Sequence, residues 1–157
     1  MLRVMQLTPS NRSSRSKLDL LRKVPAFAGC NQKELAEAAR HVDEWSATAG
    51  TSLTREGAVG HEAFVIIDGQ ADVMINGESV AELGPGQFVG EMAMLDRRPR
   101  SATVVAQTDM RLLLIGPAAF DEFASLRAVA RALTKELADR LRRADARVGL
   151  DDSARSR

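Results

Sequence analysis

Between Thr51 and Gly116 the chain is cut into short runs of β-forming residues by regular turn signals. "TSLTRE", "AFVIID", "QADVMI", "ESVAEL", "ATVVAQ" and "MRLLLIG" are set off by Gly57, Asp68-Gly69, Asn76-Gly77 and Gly84-Pro85-Gly86. Short strands at intervals of about 8–12 residues point to an antiparallel sandwich or barrel. Asn76-Gly77 is the strongest two-residue hairpin signal, because both residues tolerate the positive φ that a tight hairpin turn needs.

Helical patterns flank this section. "KLDLLRKVPAF" places Leu18, Leu21 and Val24 at three-residue steps before Pro25. In "NQKELAEAARHV", Asn31 is a candidate N-cap with Glu34 closing a capping box, and Leu35, Ala38, Ala39 and Val42 share a face. After the β section, Pro117 opens "AAFDEFASL", and a long helix follows. Its stripe comprises Leu126, Val129, Ala130, Leu133, Leu137, Leu141, Ala144 and Val148. Glu136/Arg140 and Asp139/Arg143 are i,i+4 pairs expected on its exposed face. The apolar stripe must pack on the barrel, the preceding helix or a second copy of itself. The order is helices, barrel, helices: a flexible basic tail over 1–16, one domain over 17–148, and a polar tail over 149–157.

Composition narrows the function classes. A chain of 157 residues is one domain's worth, and a net charge of +1 calls for no polyanionic partner. The single cysteine, Cys30, forms no intrachain disulfide and reads as a structural thiol. The first residues lack the apolar core of a secretory signal, and no run approaches the ~20 apolar residues of a membrane span. A cytoplasmic location is expected. His41 in a helix and His61 in a loop offer no visible cluster of metal ligands, and no nucleophile–base pattern accompanies them, so no metal, no cofactor and no catalysis are expected.

One interruption of the β section is neither strand nor simple turn: "GEMAMLDRRPRSAT", Gly90 to Thr103. "GEMAML" fits a single helical turn whose free N–H groups and positive dipole end would attract an anion. Arg100 follows Pro99, which stiffens its approach, and a guanidinium makes charge-assisted, often bidentate bonds to phosphate. Glu91 would repel that phosphate unless it accepts from a hydroxyl of the same ligand, as a ribose supplies. Phosphate plus sugar hydroxyl describes a nucleotide; a capped turn with a surface salt bridge is the other reading of the same residues.

"FVGEMAMLDRRPRSATV" resembles the phosphate-binding cassette of the cyclic nucleotide-binding domain, the family of the catabolite activator protein and the regulatory subunits of protein kinase A. "LRKVPAFAGCNQKELAEAA" resembles its helical entry and "REGAVGHEAFVIIDGQADV" its paired strands, so that the likeness covers about residues 18 to 148. The resemblance implies an α+β fold: an eight-stranded antiparallel β-roll with N-terminal helices and C-terminal B- and C-type helices. It implies that Arg100 pairs with the cyclic phosphate and that the backbone N–H groups of Ala93 and Ser101 complete the cradle. Glu91 and the Gly90 amide would hold the ribose 2′-hydroxyl, and Glu62 would brace Arg100. Serine at 101 resembles the catabolite activator protein and points to cAMP ahead of cGMP. No residue is assigned to cap the base.

With only a few polar residues beyond Gly149, a DNA-reading helix-turn-helix is not expected. The reading is a stand-alone cyclic nucleotide sensor whose C-terminal helices rearrange on binding. Its output would pass to an effector protein or through self-association along the long helix. The alternative is an interaction module that keeps the fold and has lost the ligand; the full set of Gly90, Glu91, Ala93, Arg100 and Ser101 argues against it.

Overall fold

A computed structural model describes residues 7–10 and 14–155. The turn signals place the strands as expected. Asn76 and Gly77 both take positive φ, 52° and 79°, and join β5 (Ala71–Ile75) to β6 (Glu78–Leu83), with Ile75 opposite Glu78. The other strands are β1 (Leu7–Ser10), β2 (Val42–Ala47), β3 (Ser52–Thr54), β4 (Ala63–Asp68), β7 (Phe88–Val89), β8 (Thr103–Ala106) and β9 (Met110–Ile115). They form a five-stranded sheet in the order β1-β2-β9-β4-β7 and a four-stranded sheet in the order β3-β8-β5-β6. Every pairing is antiparallel, which makes an α+β roll. It has nine strands among the described residues rather than eight.

The extra strand comes from the expected tail. Leu7–Ser10 pairs with β2, Leu7 opposite Ala47 and Ser10 opposite Glu44. An open sheet edge offers backbone donors and acceptors whatever the incoming side chains are, and Pro9 is tolerated on an edge. Helix α1 (Ser14–Lys23) also begins inside the tail expected over 1–16; residues 1–6 and 11–13 of that tail lie outside the described residues. At the other end, helix α5 (Arg127–Arg155) runs through the tail expected from 149. Gly149 weakens a helix by only about 1 kcal/mol, and no proline follows it.

The capping box forms at helix α2 (Gln32–Arg40): Asn31 Oδ1 accepts from the Glu34 amide at 2.9 Å, and Glu34 Oε2 accepts from the Asn31 amide at 2.8 Å. Val42, expected on that helix, opens β2 instead and remains buried. Helix α4 (Pro117–Ser125) starts at its proline.

Strand β4 is buried along Ala63–Ile66, because apolar layers lie on both of its faces. Phe64 and Ile66 join Leu53, Val104 and Leu112 inside the roll. Val65, Leu113 and Ile115 face a second cluster with Leu21, Phe27, Phe120 and Phe123 from the helices. Phe27 and Phe123 meet edge to face at 5.7 Å. Val129 and Leu133 anchor the first half of α5 in this cluster, whereas Leu141 and Val148 are 63% and 62% exposed. No helix among the described residues is long and apolar enough to cross a membrane.

Candidate functional site

Strand β7 leads into Gly90, whose φ of 80° turns the chain sharply into helix α3 (Glu91–Asp96). The turn hands Glu91 to the interior and leaves the first-turn amides of α3, Ala93 among them, without intrahelical partners. The chain returns through Pro99 to Arg100, whose backbone is fixed on both sides. Its N–H donates to Ala58 O and its carbonyl accepts from Gly57, both at 2.8 Å. Arg100, Glu91, Ala93 and Ser101 thereby line one cavity of about 450 Å³. Its walls carry Val73, Val80, Leu83 and Val104, and α5 contributes Arg140, Arg143 and Arg147.

Arg100 is only 6% exposed. Its Nη1 donates to Gly90 O at 2.9 Å and its Nη2 to Glu62 O at 2.6 Å. These bonds use two of the guanidinium's five donors. Among the described residues no carboxylate lies within ion-pair distance of it. Burial lowers its pKa, and the more distant charges of Glu62 and Glu91 offset part of that shift. A buried cation without a contacting counter-charge is a costly arrangement that a bound anion would relieve. Two glycines make room for it: a Cβ at Gly60 or at Gly90 would overlap the guanidinium.

Glu91 is 1% exposed. Its Oε1 accepts from Arg140 Nη1, while its buried Oε2 has no hydrogen-bond partner among the described residues. Burial pushes the carboxyl up to about 7, against the pull of the Arg140 charge. Arg140 also donates through Nη2 to Glu136 Oε1 at 2.6 Å and to Phe88 O at 2.9 Å, and so fastens α5 to β7 and α3. Arg147 Nη2 reaches Val80 O on β6.

Gly90, Glu91, Ala93, Arg100 and Ser101 thus meet at one cavity, with the Ser101 side chain exposed. Glu62 arrives differently from the expectation: it holds Arg100 by its main-chain carbonyl, and its side chain is exposed. A chain turning into β4 brings its carbonyls to the arginine whatever the side chain. Gly60, Arg140 and Arg147 were missed. Of the Glu136/Arg140 pair, expected on the exposed face of α5, Arg140 lines the cavity and Glu136 is half-buried. His41, for which the sequence shows no cluster of metal ligands, lies 3.2 Å from Glu37 and 3.1 Å from Glu122 of α4.

The model of the cyclic nucleotide-binding domain matches residues 44–126, just over half of the chain. The chain belongs to that family. It is 34% identical over 119 residues to a cAMP-dependent protein kinase regulatory subunit of Colletotrichum orbiculare, a match covering 74% of this chain and 30% of that protein. It is 38% identical over 117 residues to the Pycsar effector protein XpPycTIR of Xanthomonas perforans, covering 70% of this chain and 39% of that protein. Among solved structures, the catabolite activator protein of Thermus thermophilus superposes with a TM-score of 0.68 at 30% identity, over 80% of this chain and 62% of that one. The chain therefore spans less than two-fifths of the length of these two curated relatives.

Proposed function

We propose that this domain is a non-catalytic cyclic nucleotide receptor, cAMP being the preferred ligand and cGMP the competitor, whose occupancy rearranges α4 and α5. One observation carries the reading: a buried arginine short of an anion and a buried carboxylate short of a donor line the same cavity. Arg100 takes the cyclic phosphate, with the Ala93 and Ser101 amides completing its cradle. Glu91 Oε2 and the Gly90 amide take the ribose 2′-hydroxyl. Glu62 supports Arg100 from behind through its carbonyl. The preference for cAMP leans on the name of the kinase-subunit relative and on Ser101.

The switch is a population shift, in which the ligand favours the closed arrangement only by its tighter binding there. Two contacts are poised to transmit it. Arg140 joins α5 to the ribose-facing Glu91, and Met94 of α3 packs on the cluster that contains Phe120 and Phe123. In the cytoplasm the output passes to an effector protein or to a second copy, for which the exposed Leu141 and Val148 on α5 supply apolar surface.

Calorimetric titration with cAMP and cGMP tests the reading. One-site binding is expected, weakened at least about tenfold by Arg100→Ala, since a charge-assisted bond contributes about 1.5–3 kcal/mol. No heat with either nucleotide at millimolar concentration would refute it and favour the ligand-free module.

A further inference from the structure

Away from the nucleotide cavity, α2 and α4 bring three metal-ligating atoms together. Glu37 and His41 stand one turn apart at the C-terminal end of α2, and Glu122 comes from α4. His41 Nε2 lies 3.2 Å from Glu37 Oε1 and 3.1 Å from Glu122 Oε2, and the three atoms are within 4.8 Å of one another. Ligand atoms bound at about 2.0–2.1 Å around a tetrahedral ion stand about 3.3 Å apart, so the two measured edges already have the spacing of a coordination shell. An imidazole nitrogen alone has at most one N–H to share between two carboxylates. A cation between them satisfies all three atoms at once.

The donor set decides the ion. One imidazole and two carboxylates suit zinc and its neighbours among the divalent transition metals, whereas magnesium and calcium prefer oxygen alone. The site opens on solvent, which supplies water for the fourth position, and the cleft beside it is also lined by Glu34, Phe123 and Leu126. The ligands come from elements more than eighty positions apart in sequence, so a bound ion would act as a cross-link rather than as a local turn.

We propose that Glu37, His41 and Glu122 form a site for a zinc-class divalent cation that clasps α4 to α2. The site stands independently of the nucleotide reading. Leu126, which caps α4 before α5 begins, borders the same cleft, so the clasp holds the helix pair at its root.

The full chain, stripped with a chelator, is titrated with zinc in competition with a chromophoric chelator, and with cobalt to read its ligand-field absorbance. One equivalent is expected to bind and to raise the melting temperature. Glu37→Gln, His41→Ala and Glu122→Gln should each weaken binding at least about tenfold, as direct ligands outrank the 10–100-fold effect of their supporting groups. These residues are exposed, so the variants are expected to fold. The chain holds two histidines and one cysteine, so His61→Ala and Cys30→Ser control for the other imidazole and the thiol and should leave affinity unchanged. Failure to compete with the chelator, undiminished binding in His41→Ala or Glu122→Gln, or loss of binding in His61→Ala would each overturn the proposal.

Discussion

Glu91 and Arg140 are 49 positions apart in sequence and share an ion pair in which the carboxylate is buried and the guanidinium keeps 28% of its side-chain surface in water. The pair is the junction of the ligand cavity with α5. Arg140→Ala would strand the carboxylate without its counter-charge. Breaking a fully buried pair costs about 3–5 kcal/mol; here about 2 kcal/mol is expected, because Arg140 is partly solvated and Glu91 can take up a proton. Urea denaturation at neutral pH measures it. An unchanged midpoint would mean that the pair contributes nothing to the fold in solution.

The same carboxyl sets a pH dependence. Its folded pKa, pushed up to about 7 from 4.5, lies above the unfolded value, so the folded chain holds the proton over that interval. Stability therefore falls as pH rises from about 4.5 to 7, by at most about 3 kcal/mol, and is flat above. The half-buried Glu136 is also shifted upward, chiefly by desolvation, and adds to the slope in the same direction. Nucleotide affinity should run the opposite way: in the proposed binding mode a ribose hydroxyl donates to the carboxylate, so binding would expel the proton. Glu91→Gln should flatten most of the stability slope between pH 5 and 7. A slope retained in that variant would assign the dependence elsewhere.

How much of this was legible follows the range of each interaction. The β5–β6 hairpin was visible because Asn76-Gly77 encodes its turn within two residues. The Gly90–Thr103 segment was visible because Gly90, Glu91, Ala93, Arg100 and Ser101, which line one cavity, lie within a dozen residues of one another. Strand β2 was not, since Asp43 and Glu44 break its apolar alternation, and the buried Glu44 pairs with Arg111 of the neighbouring strand. Arg140 was hidden by a good local alternative: beside Glu136 it forms an ordinary i,i+4 pair, and only the packing of α5 reveals Glu91 as its second partner. The Glu62 carbonyl bonds Arg100 directly while the side-chain charge acts on it from farther away, and the carbonyl contact is one that no side-chain pattern encodes.

Gly60 offers a test of the arginine slot that leaves the backbone conformation alone. Its φ lies outside the left-handed region, so Gly60→Ala carries no backbone strain, yet its Cβ would overlap the Arg100 guanidinium. The variant should keep its melting temperature within a few degrees while nucleotide affinity falls at least about tenfold, since a displaced guanidinium forfeits a charge-assisted bond. Gly90→Ala meets the same guanidinium and adds the cost of a non-glycine residue at φ 80°, about 1–2 kcal/mol, so it should lose stability as well. Wild-type affinity in Gly60→Ala would show that Arg100 does not carry the phosphate.

The coupling of ligand to helices can be separated from binding at Met94. This side chain is on α3 but packs on the cluster of Phe120, Phe123 and Val129, whereas Met92 and Leu95, its neighbours on the same turn, are exposed. Saturating cAMP is expected to change amide exchange in α3 and across residues 117 to 148. Met94→Ala removes the apolar contact without touching Arg100 or Glu91 and should cost about 1–2 kcal/mol, below the 2–5 kcal/mol of a fully buried methionine. Affinity should then stay within about threefold, while the exchange response of α4 shrinks and that of α3 persists, because 1.4 kcal/mol of lost coupling is a tenfold change in the helix equilibrium. If α4 responds as in the wild type, the signal reaches α5 through Glu91 and Arg140 alone.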